Sequence, residues 1–179
     1  MSKETEKLNE AHQRYKELKG TAKSLIMATV GENDLPNASY APFVYHAGGF
    51  YIYVSRLSAH TQELIANPTV SILLIEDESE AGQIFARTRL SGLCRAEIID
   101  CEVAAFAEIL KLFKQRFGTV MDLLQSLPDF VLFRLDAISG RFVTGFGQAY
   151  DLVGEHLDRL SPIGPERINR DNPGAESDT

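Results

Sequence analysis

Residues 58–76 read SAHTQELIANPTVSILLIE, a short polar-capped helix that stops at Asn67-Pro68 and runs directly into an apolar strand. Ser58 suits an N-cap, which puts His60 and Thr61 in the first helical turn, where unpaired backbone N–H groups favour a phosphate or a carboxylate. Pro68 cannot continue the helix, so residues 70–75 become a continuous buried strand. An ordinary capped helix entering a sheet has the same local chemistry, and the choice between the two depends on the rest of the chain.

Upstream of this stretch, SLIMATV (24–30) is an apolar strand, GENDLP (31–36) is a turn, and NASYAPFVYH (37–46) alternates as its hairpin partner. Gly48-Gly49 then turns the chain into FYIYVS (50–55), whose aromatic and branched residues suit a pleated surface. Downstream, EDESEAG (76–82) is a solvated acidic loop, and IFARTRLSGLCRAEII (84–99) reads as one long strand with a bulge at Gly92. Residues 101–117 place Val103, Phe106, Ile109, Leu110 and Phe113 at helical spacing and end at Gly118. A second helix over 119–126 is broken by Pro128, and residues 130–135 and 141–146 form a last hairpin around Ser139-Gly140. The expected division is an N-terminal helix (1–22), a barrel domain (23–152) and a polar, turn-rich tail (153–179). Antiparallel runs with a helical pair before the last hairpin predict an α+β domain on a closed or nearly closed barrel with flanking helices. The GFGQA at Gly145 is no dinucleotide fingerprint, since the motif is half present and no helix follows it.

The chain has 179 residues, of which 44% are hydrophobic and 24% charged, an ordinary soluble composition that can bury one core without staples. No apolar run approaches the ~20 residues of a membrane span. The first twenty residues are too polar for a signal peptide, so the cytoplasm is the expected compartment. A net charge of -7 without a basic cluster argues against nucleic acid. Cys94 and Cys101 lack a companion CxxC or His cluster and read as small packing residues.

The order of SRLSAHTQELIANP, ARTRLSG, LPDFVLFRL and GRFVTGFGQAYDL over residues 23–152 resembles the split-barrel FMN-binding family typified by pyridoxamine 5'-phosphate oxidase, and within it the haem-utilisation, haem-degrading branch. The resemblance implies a homodimer with a small-molecule cofactor, haem or FMN, in a groove between two barrels. In the flavin oxidases an Arg-Lys pair precedes the helix and grips the FMN phosphate, but Ala59 and His60 stand there here. Arg56, Thr61 and the helix N-terminus remain as anion contacts, with a solvated surface charge as the plain alternative for Arg56. The haem branch further implies that His60 and Asp129 interact across the dimer, although Asp129 also suits the Leu127-Pro128-Asp129 turn in its own right.

Arg87 and Arg89 lie two apart on the expected strand, so both point to one face, where a guanidinium fork suits a haem propionate or a flavin phosphate. Pairing with Glu97 or Glu76 is the alternative. His12 and His46 read as surface residues. Relatives of the haem branch place an axial His in the final segment, whereas the sequence after His156 holds only Arg167 and Arg170, and a guanidinium offers iron no lone pair. His156 is therefore the candidate axial ligand, with His60 as a substitute. Three functions stay open: a protein that stores or oxidatively opens haem, an FMN-dependent oxidoreductase, and a non-catalytic dimer that binds a small anion.

Overall fold

Alternating apolar residues set the barrel wall. The first strand, β1 (Ser24–Val30), buries Leu25, Met27 and Thr29 inward while Ile26 and Ala28 face out. The strand β2 (Pro36–His46) pairs with it, and β3 (Gly49–Ser55) follows a tight turn in which Ala47 and Gly48 both take positive φ, the twist-matched geometry of a two-residue hairpin. A helix α2 (Ala59–Ala66) leads into β4 (Thr69–Ile75), and β5 (Arg89–Ile98) returns beside it. Two helices, α3 (Ala104–Phe117) and α4 (Val120–Ser126), precede β6 (Phe130–Gly145), β7 (Gln148–Val153) and β8 (Arg159–Pro162). An N-terminal helix, α1 (Lys3–Thr21), packs Ala11, Tyr15 and Leu18 against the sheet. The computed structural model describes residues 2–163.

The strand order β3-β2-β1-β4-β5-β6 closes on itself because β3 also pairs with β6, giving a six-stranded antiparallel barrel that β7 and β8 extend beyond the seam. The split-barrel α+β architecture expected above is the one observed. Phe43, Ile52, Phe133 and Phe142 fill the interior. Both faces of β3 are buried, since Tyr51 and Tyr53 point outward under Ile109, Leu110 and Phe113 of α3. The aromatic run at 50–55 therefore serves two cores.

Several expected boundaries change. Residues 84–86 form a 3-10 turn rather than strand, and the strand proper starts at Arg89. The bulge lies in β6 instead of at Gly92: Leu93 faces Ser139 and Cys94 faces Ala137, so Ile138 is the extra residue. Ser139-Gly140 is no turn but the middle of a 16-residue strand, and the hairpin comes at Phe146-Gly147, where Gly147 takes φ 67°. Residues 159–162 pair with β7, so the sheet continues past the boundary drawn at 152. Cys94 is buried as expected, while Cys101 is exposed in the turn before α3. Arg167 and Arg170 lie outside the described residues.

Candidate functional site

Register places the first cluster. Ser55 at the end of β3 pairs with Phe130, which brings Asp129 alongside. The Ser55 hydroxyl donates to Asp129 Oδ2 and accepts from the Leu57 N–H at 3.1 Å, and the Arg56 N–H donates to the Asp129 carbonyl at 2.8 Å. These bonds aim the Asp129 carboxylate at the turn into α2. Ser58 is the N-cap residue, but its side chain makes no capping bond; its carbonyl accepts from Thr61 N–H at 3.1 Å, and Gln62 Nε2 closes the turn onto the Arg56 carbonyl at 2.6 Å. The Arg56 side chain is exposed.

In the first turn of α2, two polar atoms are buried without a partner, Thr61 Oγ1 and His60 Nε2. Such atoms are costly inside a protein unless something satisfies them. Burial lowers the proton affinity of His60, and the nearby Glu63 offsets this only in part, which leaves a neutral imidazole near pH 7. Glu63 accepts from Thr29 Oγ1 at 2.5 Å and from Asn37 Nδ2 at 2.9 Å, which pins α2 across the barrel end. Neither Ser55 nor Glu63 was singled out by sequence. The one signal for Ser55 is its place at the end of FYIYVS; Glu63 finds partners too distant in the chain to be read locally.

The second cluster lies where β4 hands over to β5. Arg87 is off the strand, so it does not share a face with Arg89 as expected. Its guanidinium is taken up by the Glu76 carbonyl and by the Glu78 carboxylate at 3.1 Å. The Glu76 carboxylate accepts from the Thr88 N–H at 3.0 Å instead of pairing with an arginine. Arg89, the first residue of β5, makes one long bond of 3.3 Å from Nη1 to the Arg87 carbonyl. An open cleft of about 1080 Å³ between α1, this loop and the end of β6 is lined by Arg14, Glu17, Lys23, Glu76, Arg87 and Phe146, and by none of Arg56, Ser58, His60, Thr61, Arg89 or Asp129.

One chain does not bring the two clusters together. Thr69 follows α2, and Ile75 pairs with Arg89; the six steps between them span ~20 Å of strand. Along β6, Phe130 at the Asp129 end and Val143 opposite Arg89 are thirteen residues apart, ~43 Å of strand path. Nor do His60 and Asp129 pair within the chain: the Asp129 carboxylate takes the Ser55 hydroxyl, and His60 Nε2 has no partner. His12 is half-buried with both ring nitrogens engaged and so is not the surface residue expected, while His46 lies at the surface with Nε2 3.3 Å from Glu108. His156 is exposed in the β7–β8 loop, its ring against Gly48.

Residues 11–144 match the family described as pyridoxamine 5'-phosphate oxidase. The chain is 42% identical over 142 residues to the heme oxygenase HutZ of Vibrio cholerae serotype O1, covering 79% of this chain and 81% of that protein. A crystal structure of the same bacterium's HutZ, there described as a heme storage protein, superposes with a TM-score of 0.66 at 40% identity over 69% of this chain and 87% of that one. Campylobacter jejuni ChuZ superposes with a TM-score of 0.78 at 31% identity over 87% of this chain, which spans 63% of ChuZ. No helix among the described residues is long and apolar enough to cross a membrane. The closed six-stranded wall, the α2 turn that follows β3 and the extent of these matches agree: this chain belongs to the pyridoxamine 5'-phosphate oxidase family.

Proposed function

We propose that this protein is a cytoplasmic homodimer that binds haem along the seam between two barrels, with Arg89 of one copy and the His60–Asp129 cluster of the other completing each site. Support comes first from the separation of the two clusters: neither end of the barrel holds a whole anion site, and a second copy running the opposite way supplies the missing half. A surface for that copy exists on the outer wall, where register lines up Tyr40, Ile26 and Leu73 in one row and Ala38, Ala28 and Ser71 in the next. Tyr40 is 68% and Ile26 45% exposed, a contiguous apolar face of the kind that marks an interface. HutZ, described both as a heme oxygenase and as a heme storage protein, carries the same architecture.

The residues present fit an anionic porphyrin better than a flavin mononucleotide. A flavin phosphate needs cations at the start of α2, where Ala59 has no charge and His60 is neutral. Arg89 offers a guanidinium that suits a propionate carboxylate. For iron, His156 is the histidine whose ring stands exposed and without a partner among the described residues, whereas His60 Nε2 is shielded from solvent. Bound haem would supply the redox chemistry of its iron; Arg89, His60 and Asp129 would hold and orient it.

A subunit-mixing titration tests the composite site. Arg89→Ala and Asp129→Ala each lose haem affinity by ~10-fold or more, the scale of one charged hydrogen bond. When the two variants are mixed in equal amounts and allowed to exchange subunits at random, about half of the dimers are mixed and one of the two sites in each regains both residues, so tight binding returns to about one haem per four chains. Absence of that recovery, a monomer in solution, or flavin absorption from added FMN in place of a Soret band from added haem, overturns the proposal.

A further inference from the structure

Among the described residues, closing the barrel leaves β8 as the open edge of the sheet. Its bonds to β7 alternate along the pair: Ile163 N–H donates to the Ala149 carbonyl at 3.0 Å, which makes Leu160, opposite Leu152, a residue whose N–H points away from β7. The next outward position is Pro162, which has no N–H. Leu160 therefore carries the one outward donor within β8, and an unpaired strand edge is a template for pairing with other chains.

That donor is taken by a histidine. His12 of α1 places Nε2 3.2 Å from the Leu160 nitrogen, while its Nδ1 lies 2.9 Å from the Leu8 carbonyl. A carbonyl accepts only, so Nδ1 carries the proton and Nε2 presents the lone pair. The same face of α1 reaches the loop before β8 through the Tyr15 hydroxyl, which donates to the Leu157 carbonyl at 3.2 Å. Lys19, one turn on, lies 3.9 Å from the centre of the Tyr15 ring and 4.1 Å from that of Tyr45. Among the titratable groups of the surrounding elements are Glu10, Lys16 and Lys19 on α1, Tyr150 and Asp151 on β7, Asp158 in the loop, Arg159 on β8, and Arg134, Asp136 and Arg141 on β6; β4 has no titratable residue, and β6 meets α1 through Phe142 and through Thr144, whose carbonyl accepts from Arg14.

We propose that His12 is an acid-operated latch on the sheet edge: the neutral imidazole holds β8 closed, and a second ring proton sets two donors against each other and releases it. Protonated Nε2–H cannot accept from Leu160 N–H, so the edge strand loses its tie to α1 while the closed barrel, which makes no use of His12, stays intact.

Amide hydrogen exchange on the full chain, followed by NMR and corrected for intrinsic rates, tests this between about pH 7.5 and about pH 5, the range over which histidine side chains as a class change charge. Protection at Leu160 falls at least ~10-fold at the lower pH while Leu25 and Phe133 in the barrel stay protected. His12→Gln, which keeps an acceptor that does not titrate, holds Leu160 protection equal at both pH values. Equal protection in the wild-type protein, loss at Leu160 together with the barrel amides, or a fall in the Gln variant as large as in wild type overturns the latch. The wild-type measurement decides even if the variant does not fold.

Discussion

The two ends of β4 differ in what their polar groups find. At the α2 end, Thr61 Oγ1 and His60 Nε2 are buried with no partner. At the β5 end, Arg87 is engaged twice within its own chain, by the Glu76 carbonyl and by Glu78. Buried groups left unpaired cost stability, a cost that the proposed composite site would relieve at the first end, whereas the second is largely self-sufficient apart from Arg89. Of two neighbouring arginines, the one spent on its own backbone is structural and the other is available.

The largest expected effect is at the first end. Glu63→Ala removes the acceptor shared by Thr29 and Asn37 and leaves the fully buried Thr29 hydroxyl dependent on a long contact of 3.4 Å to the Asn37 carbonyl. The expected loss is ~2 kcal/mol, or ~4–8 °C in melting temperature for a chain of this size, read by thermal unfolding. Those two hydrogen bonds also hold the Glu63 carboxyl below its ordinary range. Its stabilising contribution is therefore complete above the usual carboxylate value of ~4.3 and is lost as pH falls through the lowered folded value. Glu63→Gln flattens that acid limb. An unchanged melting temperature for Glu63→Ala would show that α2 is anchored elsewhere, and the contrast between the two ends would lose its basis.

How much of this was legible depends on how local the physics is. The helix stop at Asn67-Pro68, the glycine at Gly118 with φ 78° and the apolar alternation of β1 are set by neighbouring residues, and sequence found them. Ser139-Gly140 was misread because a glycine can answer to packing as well as to turns. A Cβ at Gly140 would lie 2.5 Å from Leu152 Cδ1 and 3.3 Å from the Ser91 carbonyl oxygen, so the strand needs the missing side chain there. Residues 84–86 looked like strand because Ile84 and Phe85 are apolar, yet Phe85 is 82% exposed. At the proposed site, the start of α2 at Ser58 was legible from capping propensity, although the Ser58 side chain makes no capping bond. Glu63 could not, since its partners Thr29 and Asn37 sit 34 and 26 residues away, and the separation of Arg89 from His60 appears only once the strands are in register.

Thr61→Val sharpens the comparison from the opposite direction. Thr61 is fully buried, and its hydroxyl has no partner; exchanging it for a methyl of similar shape is expected to leave the cofactor-free protein as stable, or more stable by up to ~1 kcal/mol. Haem affinity is expected to fall a few-fold, because the hydroxyl is then no longer there to be satisfied. Denaturant unfolding without haem and an absorption titration with it read the two effects separately. A loss of stability beyond ~1 kcal/mol would mean that Thr61 already has a partner inside the chain.

The smallest effect is expected at Arg87. Its carboxylate partner Glu78 has a side chain 74% exposed, and an ion pair of that kind is worth ~0–1 kcal/mol because water screens it and two long side chains must be held still. The bond to the Glu76 carbonyl adds to this, but that carbonyl sits at the rim of an open cleft, where water replaces a lost donor. Arg87→Ala is therefore expected to cost ~1 kcal/mol or less in denaturant unfolding and to leave haem affinity unchanged, two residues from a position where the same substitution removes at least ~10-fold. Equal losses of affinity at the two positions would mean that Arg87 leaves Glu76 and Glu78 when ligand arrives, and the division between a structural and an available arginine would fail at its sharpest point.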